Sequence, residues 1–600
     1  VSNIYSDCYA NLKSAFDAIN SGTHTGVIEL RLSGNIIETA SAVLNASSSG
    51  SASYTSVNIY PTATGLSITG NLAAPLIDLN GADNVTIDGR VNASGSSKDM
   101  VINNTSNSGN SGTSTIRLYN SANNNYIKYC TIKGSSTDGS AGIIFLGGST
   151  ASTGNTIDNN NITNSADAYR PINAIYSGGA ANTVTISNNY IYDFLSRVSS
   201  SNGIKLNSST AASTISGNSF YETNTFSPTA NRAYYYPIYI NSTIAGFTVS
   251  GNYIGGNAPL CSGTWTKTNS AFSNLFGIFL NSVGTGTPSV VKGNTINGIN
   301  WSNNNNDNTW MFGIVVSAGD VTIGASGEPN TIGSITGTPN LSFTYDGSGS
   351  IFVPVCLNGS GYINCQYNNI GGITCNNTNS ASVTRLYCIY RGNNNANAII
   401  SNNTIGSSTN PVTLTSPATG DVQYMIGICN NSSAATGLTM NNNTISYLNN
   451  QTTGSSAGYV CGILSYDAAA PLTISNNTIH DLTISNTNTG GGRDASMRGG
   501  IWVTTGYQLT VTNNTVYNLT NTNSTFNGYM YGIYATGGGG DGVVNDCSGN
   551  TVYNISSTGT GSGPFIYGIY YNGGNFSTNT LNRNYIYGLT SAGVNTNCYN

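Results

Sequence analysis

Three small groups of residues in this sequence carry side chains that could do chemistry. Asp193 and Glu222 each stand four residues after an asparagine that opens a repeated signal, so a regular repeat would set them side by side. Arg493, Asp494 and Arg498 crowd in before Ile501, with Asp467 one repeat earlier, and Asp78 and Arg117 share a third register. Glycoside hydrolysis asks for two carboxylates about 5 to 9.5 Å apart. A calcium-dependent lyase asks for several carboxylate ligands and a base. Asp193 and Glu222 read more economically as independent surface groups, and the group before Ile501 as a local ion pair. His24 and His480 are isolated, and no Ser or Cys nucleophile set is apparent. No catalytic residue, metal ligand or cofactor is therefore assigned.

The bulk composition restricts the partners. Charged residues make up 7% of the 600 residues, against roughly 25% in ordinary soluble proteins, with Asn, Gly, Ser and Thr in their place. A net charge of -5 leaves no basic stripe, so nucleic acid is not an expected partner. No apolar run approaches the roughly 18 residues of a membrane span. With no initiator Met and no signal peptide, Val1 reads as a mature or trimmed start. The 11 cysteines are odd in number and form no metal-spaced cluster. Cys365 and Cys547 fall at apolar strand positions and read as core thiols, while Cys261 sits in a loop.

What would position such groups is a repeat. "LTISNNTIHDL", "LTMNNNTISYL" and "LTVTNNTVYNL" are versions of one phrase. Its marker asparagines are Asn160, Asn189, Asn218, Asn252, Asn294, Asn330, Asn368, Asn403, Asn443, Asn477, Asn514, Asn550 and Asn584, with Gly89 and Cys130 as equivalents in early copies. A second marker, a small residue followed by Ile or Val, falls at Ile77, Ile116, Ile143, Ile175, Ile204, Ile238, Ile278, Ile314, Val355, Ile389, Ile428, Ile463, Ile501, Ile533 and Ile569. From Ile to the next Asn is 12 to 17 residues; from Asn to the next Ile is 13 to 27. One part of each unit is nearly constant and the other elastic, which is a stack with its length variation swept to one side.

Around the Ile marker, positions -2, 0 and +2 are mostly apolar, as in Phe276, Ile278 and Leu280, so the period is that of a strand. A second strand precedes the Asn (Leu472, Ile474) and a third follows it (Ile479, with Leu482 closing a bend). Three short strands per coil predict an all-β, three-sheet parallel β-helix of about 15 coils, stacked about 4.8 Å apart. Asn at the corner tolerates the left-handed region, and stacked amides can bond up and down a column. The first 60 residues read as a cap: Leu12, Ala15, Phe16 and Ile19 share a helical face that Asn20 and Gly22 terminate. The solenoid is expected over residues 61–600, continuing past Asn600 or covered there by another copy through end-to-end self-association.

"LKSAFDAINSGTHTGVIEL", "ETASAVLNAS", "PLIDLNGADNVTIDG" and the "SNNTI" coils resemble large secreted β-helix proteins of Bacteroidota, along nearly the whole chain. The resemblance implies a right-handed helix of the pectate-lyase-like kind, an extracellular or cell-surface location, export often by the type IX pathway, and adhesin-like roles. It also implies a cleft over the first sheet, the one carrying the Ile markers, so that positions -1, +1 and +3 face outward. Position -1 is almost all small (Gly277, Gly313, Gly427, Gly462, Gly500, Gly532, Gly568), and +3 is mostly Asn. Position +1 begins with Asp78 and Arg117, passes through Lys205 and Leu464, and otherwise offers Tyr176, Tyr239, Phe279, Tyr390, Trp502, Tyr534 and Tyr570.

After Asp78 these columns hold no carboxylate, which argues against catalysis. The rings are candidate glycan-facing aromatics, unless the elastic loops, which add Trp265, Trp301, Trp310 and the run Tyr234–Tyr236, fold over them. An ice-binding face would need a long threonine array, and no column is expected to offer one. The expected function is thus a non-catalytic extracellular structural or adhesive solenoid, a surface adhesin or filament component able to bind polysaccharide or cell-surface glycan. The alternative is a polysaccharide lyase or glycoside hydrolase.

Overall fold

The computed structural model describes residues 7–268, 271–303, 307–338, 340–347, 349–392, 397–417, 422–432, 437–452, 458–468, 470–485, 497–560, 564–593 and 597–599. The chain packs as two compact units, Val1–Asn224 with Pro228–Ser262 and Leu280–Thr287, and Thr225–Ser227 with Gly263–Phe279 and Pro288–Asn600. In each unit successive strands fall into three sheets, and every pairing between coils is parallel. The fold is the expected right-handed parallel β-helix, its crossovers taking the usual hand of parallel connections. Seven full turns lie between Ala42 and Ile254, and nine between Ser273 and Ser591.

The reason is visible in one coil. Leu472–Ser475 alternates buried Leu472 and Ile474 with outward Thr473 and Ser475. Asn476 then takes a left-handed turn (φ 56), and Thr478–Ile484 buries Ile479, Leu482 and Ile484. The expected corner is there, but its two asparagines divide the work. The left-handed residue is the one before the marker: Asn159, Asn188, Asn402, Asn442, Asn476 and Asn513, or Tyr129 and Tyr367 where Asn is missing. The marker itself points inward and stacks.

In the first unit Asn160 Nδ2 donates to Asn189 Oδ1 (3.0 Å), Asn189 to Asn218 (2.9 Å) and Asn218 to Asn252 (3.0 Å). In the second unit the same bond joins Asn294 to Asn330, Asn330 to Asn368, Asn368 to Asn403, Asn403 to Asn443, Asn443 to Asn477 and Asn477 to Asn514, each at 2.9 Å. It closes with Asn514 to Asn550 (3.0 Å) and Asn550 to Asn584 (3.1 Å). Asn477 shows the full set. Its Nδ2 also donates to the Met440 carbonyl (3.0 Å), and its Oδ1 accepts from the Asn443 backbone N–H (3.0 Å). A buried amide so used leaves no polar atom unpaired. Cys130 joins the column by donating its N–H to Asn160 Oδ1 at 2.9 Å, while its thiol stands 3.9 Å from the Ile87 carbonyl.

The cap helix, Leu12–Asn20, buries Leu12, Ala15, Phe16 and Ile19 as expected, and Asn11 caps it by accepting from the Ser14 N–H. Buried Glu38 accepts from the Leu12 and Lys13 N–H groups at 2.7 and 3.2 Å, an acid at the helix's positive end. Strand Ser53–Pro61 pairs with both Thr25–Leu32 and Val85–Asp88, so the second sheet runs across residue 60 without a break.

The elastic segments of the second unit are not all loop. Trp265–Lys267, Ile299–Asn303, Leu341–Tyr345, Ile373–Asn377 and Val412–Ser416 pair in series as an added strand of the third sheet. Strand Thr444–Thr452 then fuses this piece with the one before it. Trp265 and Trp301, expected in loops, lie on this strand and are fully buried, whereas Trp310 is 41% exposed.

Candidate functional site

The first-sheet face differs from the expected one in its register. Coil-to-coil pairing skips the -1 position: Phe312 faces Val353 and Ile314 faces Val355 with Gly313 passed over, and Tyr387 faces Ile426 before Ile389 faces Ile428. The strands kink there with their register kept, and the small residue turns inward. A Cβ on Gly500 would stand 2.3 Å from Val516 Cγ1, and one on Gly532 2.4 Å from Val552 Cγ1. The -1 column is therefore core and not cleft. The kink breaks the alternation by one residue, so that position -2 lies beside +1. Ile143 is a misplaced marker, because Ile144 pairs with both Ile116 and Ile175, which sets Phe145 at +1 between Arg117 and Tyr176.

The outward face is consequently a double column of rings. Tyr236 stacks on Tyr239 (4.7 Å), Phe276 on Phe279 (5.5 Å) and Tyr387 on Tyr390 (5.2 Å), each a -2 residue on a +1 residue. Along the coil direction Trp502 stacks on Tyr534 at 3.9 Å and Tyr534 on Tyr570 at 4.7 Å, with planes within 8° and 2° of parallel. Tyr531 stacks on Tyr567 at 5.0 Å. Tyr176, Trp502 and Tyr534 are buried, and Tyr239, Phe279, Tyr390 and Tyr570 partly so. In a face-to-face stack each ring spends its π-face on the next ring, so edges rather than faces meet solvent. Arg498 lies over Tyr459, Tyr466 and Trp502 with its guanidinium carbon 4.4, 5.3 and 4.9 Å from the ring centres.

The charged groups are engaged in structure. Asp78 and Arg117 form a two-pronged ion pair (2.9 and 2.6 Å) with the guanidinium over Tyr119. Asp193 and Glu222 are brought together, but not as surface groups. Glu222 is fully buried, hydrogen-bonds Arg170, and accepts from the Leu195 N–H at 3.2 Å. Arg170, itself buried, also reaches Asp167 (2.6 Å) and Asp193 (3.6 Å). Burial pushes the Glu222 carboxyl up to about 7 although Arg170 opposes it. Arg170, from the elastic loop before the strand Asn173–Ser177, is the residue that sequence reading missed. Arg493 and Asp494 lie outside the described residues, as does the side chain of Asp467. Lys267 is buried, donating to the Ala271 and Ser302 carbonyls at 2.7 Å each, and burial lowers it to about 7. Among the described residues no group of three His, Cys, Asp or Glu is placed to hold a metal ion. Cys365 and Cys547 are buried free thiols, and burial raises both to about 12.

Two further surfaces lie on the third sheet of the second unit. One answers the threonine expectation. Thr295, Thr331, Asn369, Thr404, Thr444, Thr478, Thr515 and Thr551 pair in order as a single outward column, a threonine array interrupted once. It was overlooked because the columns searched were those of the Ile marker. The other is a ladder of rings three residues past the marker: His480 on Tyr517 (4.7 Å), Tyr517 on Tyr553 and Tyr553 on Tyr587 (4.8 Å each), with planes within 5° of parallel. His480 is thus the first rung of a ladder and not an isolated residue. The phrases "NTIHDLT", "NTVYNLT", "NTVYNIS" and "NYIYGLT" carried that signal.

No protein-family model matches this sequence, and no curated protein is similar to it. Among solved structures the chain shows similarity to the PL6 family alginate lyase AlyGC at 10% identity, over 95% of this chain and 99% of that one. The TM-score is 0.21, a level at which the likeness adds nothing to what the strand pairings establish.

Proposed function

We propose that this protein is a non-catalytic structural and adhesive β-solenoid that acts outside the cell, at a surface or in a filament, and holds glycans. The observation that carries the reading is the makeup of the first-sheet face. From Tyr176 to Tyr570 its +1 and -2 positions hold rings, aliphatics, Asn, Cys, one Gly and one Lys, and no carboxylate. Asp78, the one acid in the +1 column, is neutralised by Arg117. Acid–base cleavage of a sugar chain needs a positioned pair of titrating groups, and this surface supplies stacked hydrocarbon instead. The sparse charge suits an extracellular wall component, since trypsin finds no Lys or Arg between Arg391 and Arg493.

The test pairs binding with turnover. The intact chain is incubated with insoluble and soluble polysaccharides, and both retention and newly formed reducing or unsaturated ends are measured. Retention without release is the expected result. Release that disappears in Asp467→Ala or Asp494→Ala would instead establish a lyase or hydrolase.

A further inference from the structure

We infer that the third sheet of the second unit carries a groove that binds a neutral polysaccharide chain laid along the stacking direction. This rests on the glycan-holding reading above and gives it an address away from the first sheet. The groove is open, about 470 Å³ in volume, and spans four successive coils. Its cause is a bend in each strand. Asp481, Asn518, Asn554 and Gly588 take left-handed backbone (φ 53, 54, 53 and 68) in the middle of a third-sheet strand. At such a residue alternation fails: Val516 and Leu519 both turn inward, fully buried, while Tyr517 and Thr520 both stay at the surface. The bend residue is left recessed between them, and four such bends in register make a furrow.

The furrow's chemistry is that of a sugar. Thr483, Thr520, Ser556 and Thr590 pair coil to coil and present one hydroxyl per coil. Asn518 and Asn554 add amides from the bend column. Hydroxyls and amides both donate and accept, as sugar hydroxyls do, so each coil offers a two-way hydroxyl contact about 4.8 Å after the last, with Thr520 and Ser556 also 3.3 Å from each other. One residue before the bend, the ladder of His480, Tyr517, Tyr553 and Tyr587 adds an aromatic edge, with Tyr587 44% exposed. Among the described residues Asp481 is the one charged residue lining the groove; its carboxylate meets the His480 ring (2.6 Å) and accepts from Asn518 Nδ2 (3.1 Å). No cation among the described residues lines the groove, so a polyuronate or sulfated chain finds no counter-charge from them and is repelled by Asp481. Similar hydroxyl subsites in series favour a long chain over a short one, because each further contact is made intramolecularly.

The experiment measures retention of the intact chain on insoluble neutral polysaccharides (cellulose, xylan, mannan and chitin) and on alginate and pectate gels. It compares the native protein with Thr520→Val/Ser556→Ala, which strips two groove hydroxyls. A second-sheet control, Thr473→Val/Thr510→Val, makes the same kind of change on another face of the same coils. These side chains are at the surface, and circular dichroism verifies the fold of each variant. The expected result is binding to at least one neutral polysaccharide, weakened about tenfold in the groove variant and unchanged in the control. Equal binding by native and groove variant would overturn the site while leaving the adhesive reading standing. Binding confined to alginate or pectate would overturn the neutral ligand class. No retention on any polysaccharide would remove the glycan-holding reading itself, and the groove with it.

Discussion

Asn476 and Asn477 are neighbours of one residue type with opposite needs. The first supplies a left-handed backbone, which Gly supplies equally well; Gly217, Gly251, Gly293 and Gly549 do so in other coils. The second supplies an amide whose five bonds no other side chain reproduces. Asn476→Gly is expected to change stability by no more than about 0.5 kcal/mol. Asn477→Gly should cost about 1–3 kcal/mol, because the Asn443 N–H and Nδ2 lose their acceptor in the core. Urea titrations of the two variants give the comparison directly. Glu222 yields a prediction in pH. Its folded carboxyl is raised to about 7 from an ordinary value of 4.5. Stability it contributes is therefore complete below about pH 4.5 and lost as pH rises through about 7. The urea midpoint should fall across that window, and Glu222→Gln should flatten the fall.

The strand that carries the Ile marker is shaped by the kink at its -1 residue. Gly500→Ala sets a methyl group against Val516 and the Gly532 carbonyl (2.6 Å), an overpacking expected to cost about 1–3 kcal/mol. Gly506→Ala, whose Cβ would meet nothing within 4 Å, should be neutral. Thermal melts of the pair read this out. The glycine column was legible in the sequence, but its direction was not. Period-two counting assigns faces by parity, and a kink in the strand shifts parity without changing any residue type. The same failure hid the outward -2 rings and moved Ile143 one place from Ile144. By contrast the three strands, the marker columns and the cap helix were all readable, because they depend on composition at fixed spacing. The buried cluster of Arg170 with Glu222 was not readable, since Arg170 comes from the elastic segment, where spacing carries no register.

At the scale of the whole molecule, side-chain amides and apolar columns do the work that ion pairs share in other proteins. Charges are 7% of residues, and among the described residues exposed pairs such as Lys292–Glu328 (2.6 Å) are few. Salt screens only what lies in water, so the melting temperature should move by about 2 °C or less between 0.05 and 0.5 M sodium chloride. A larger drop would show that surface charge carries stability after all. The stacked rings have one more consequence. Tyr517, Tyr553 and Tyr587 hold parallel planes at 4.8 Å, and Trp502 and Tyr534 meet at 3.9 Å. Chromophores held so close share their excited states, and the protein therefore carries a built-in optical gauge. Near-ultraviolet dichroism and the quenching of Trp502 fluorescence would register stretching between coils before any strand came apart.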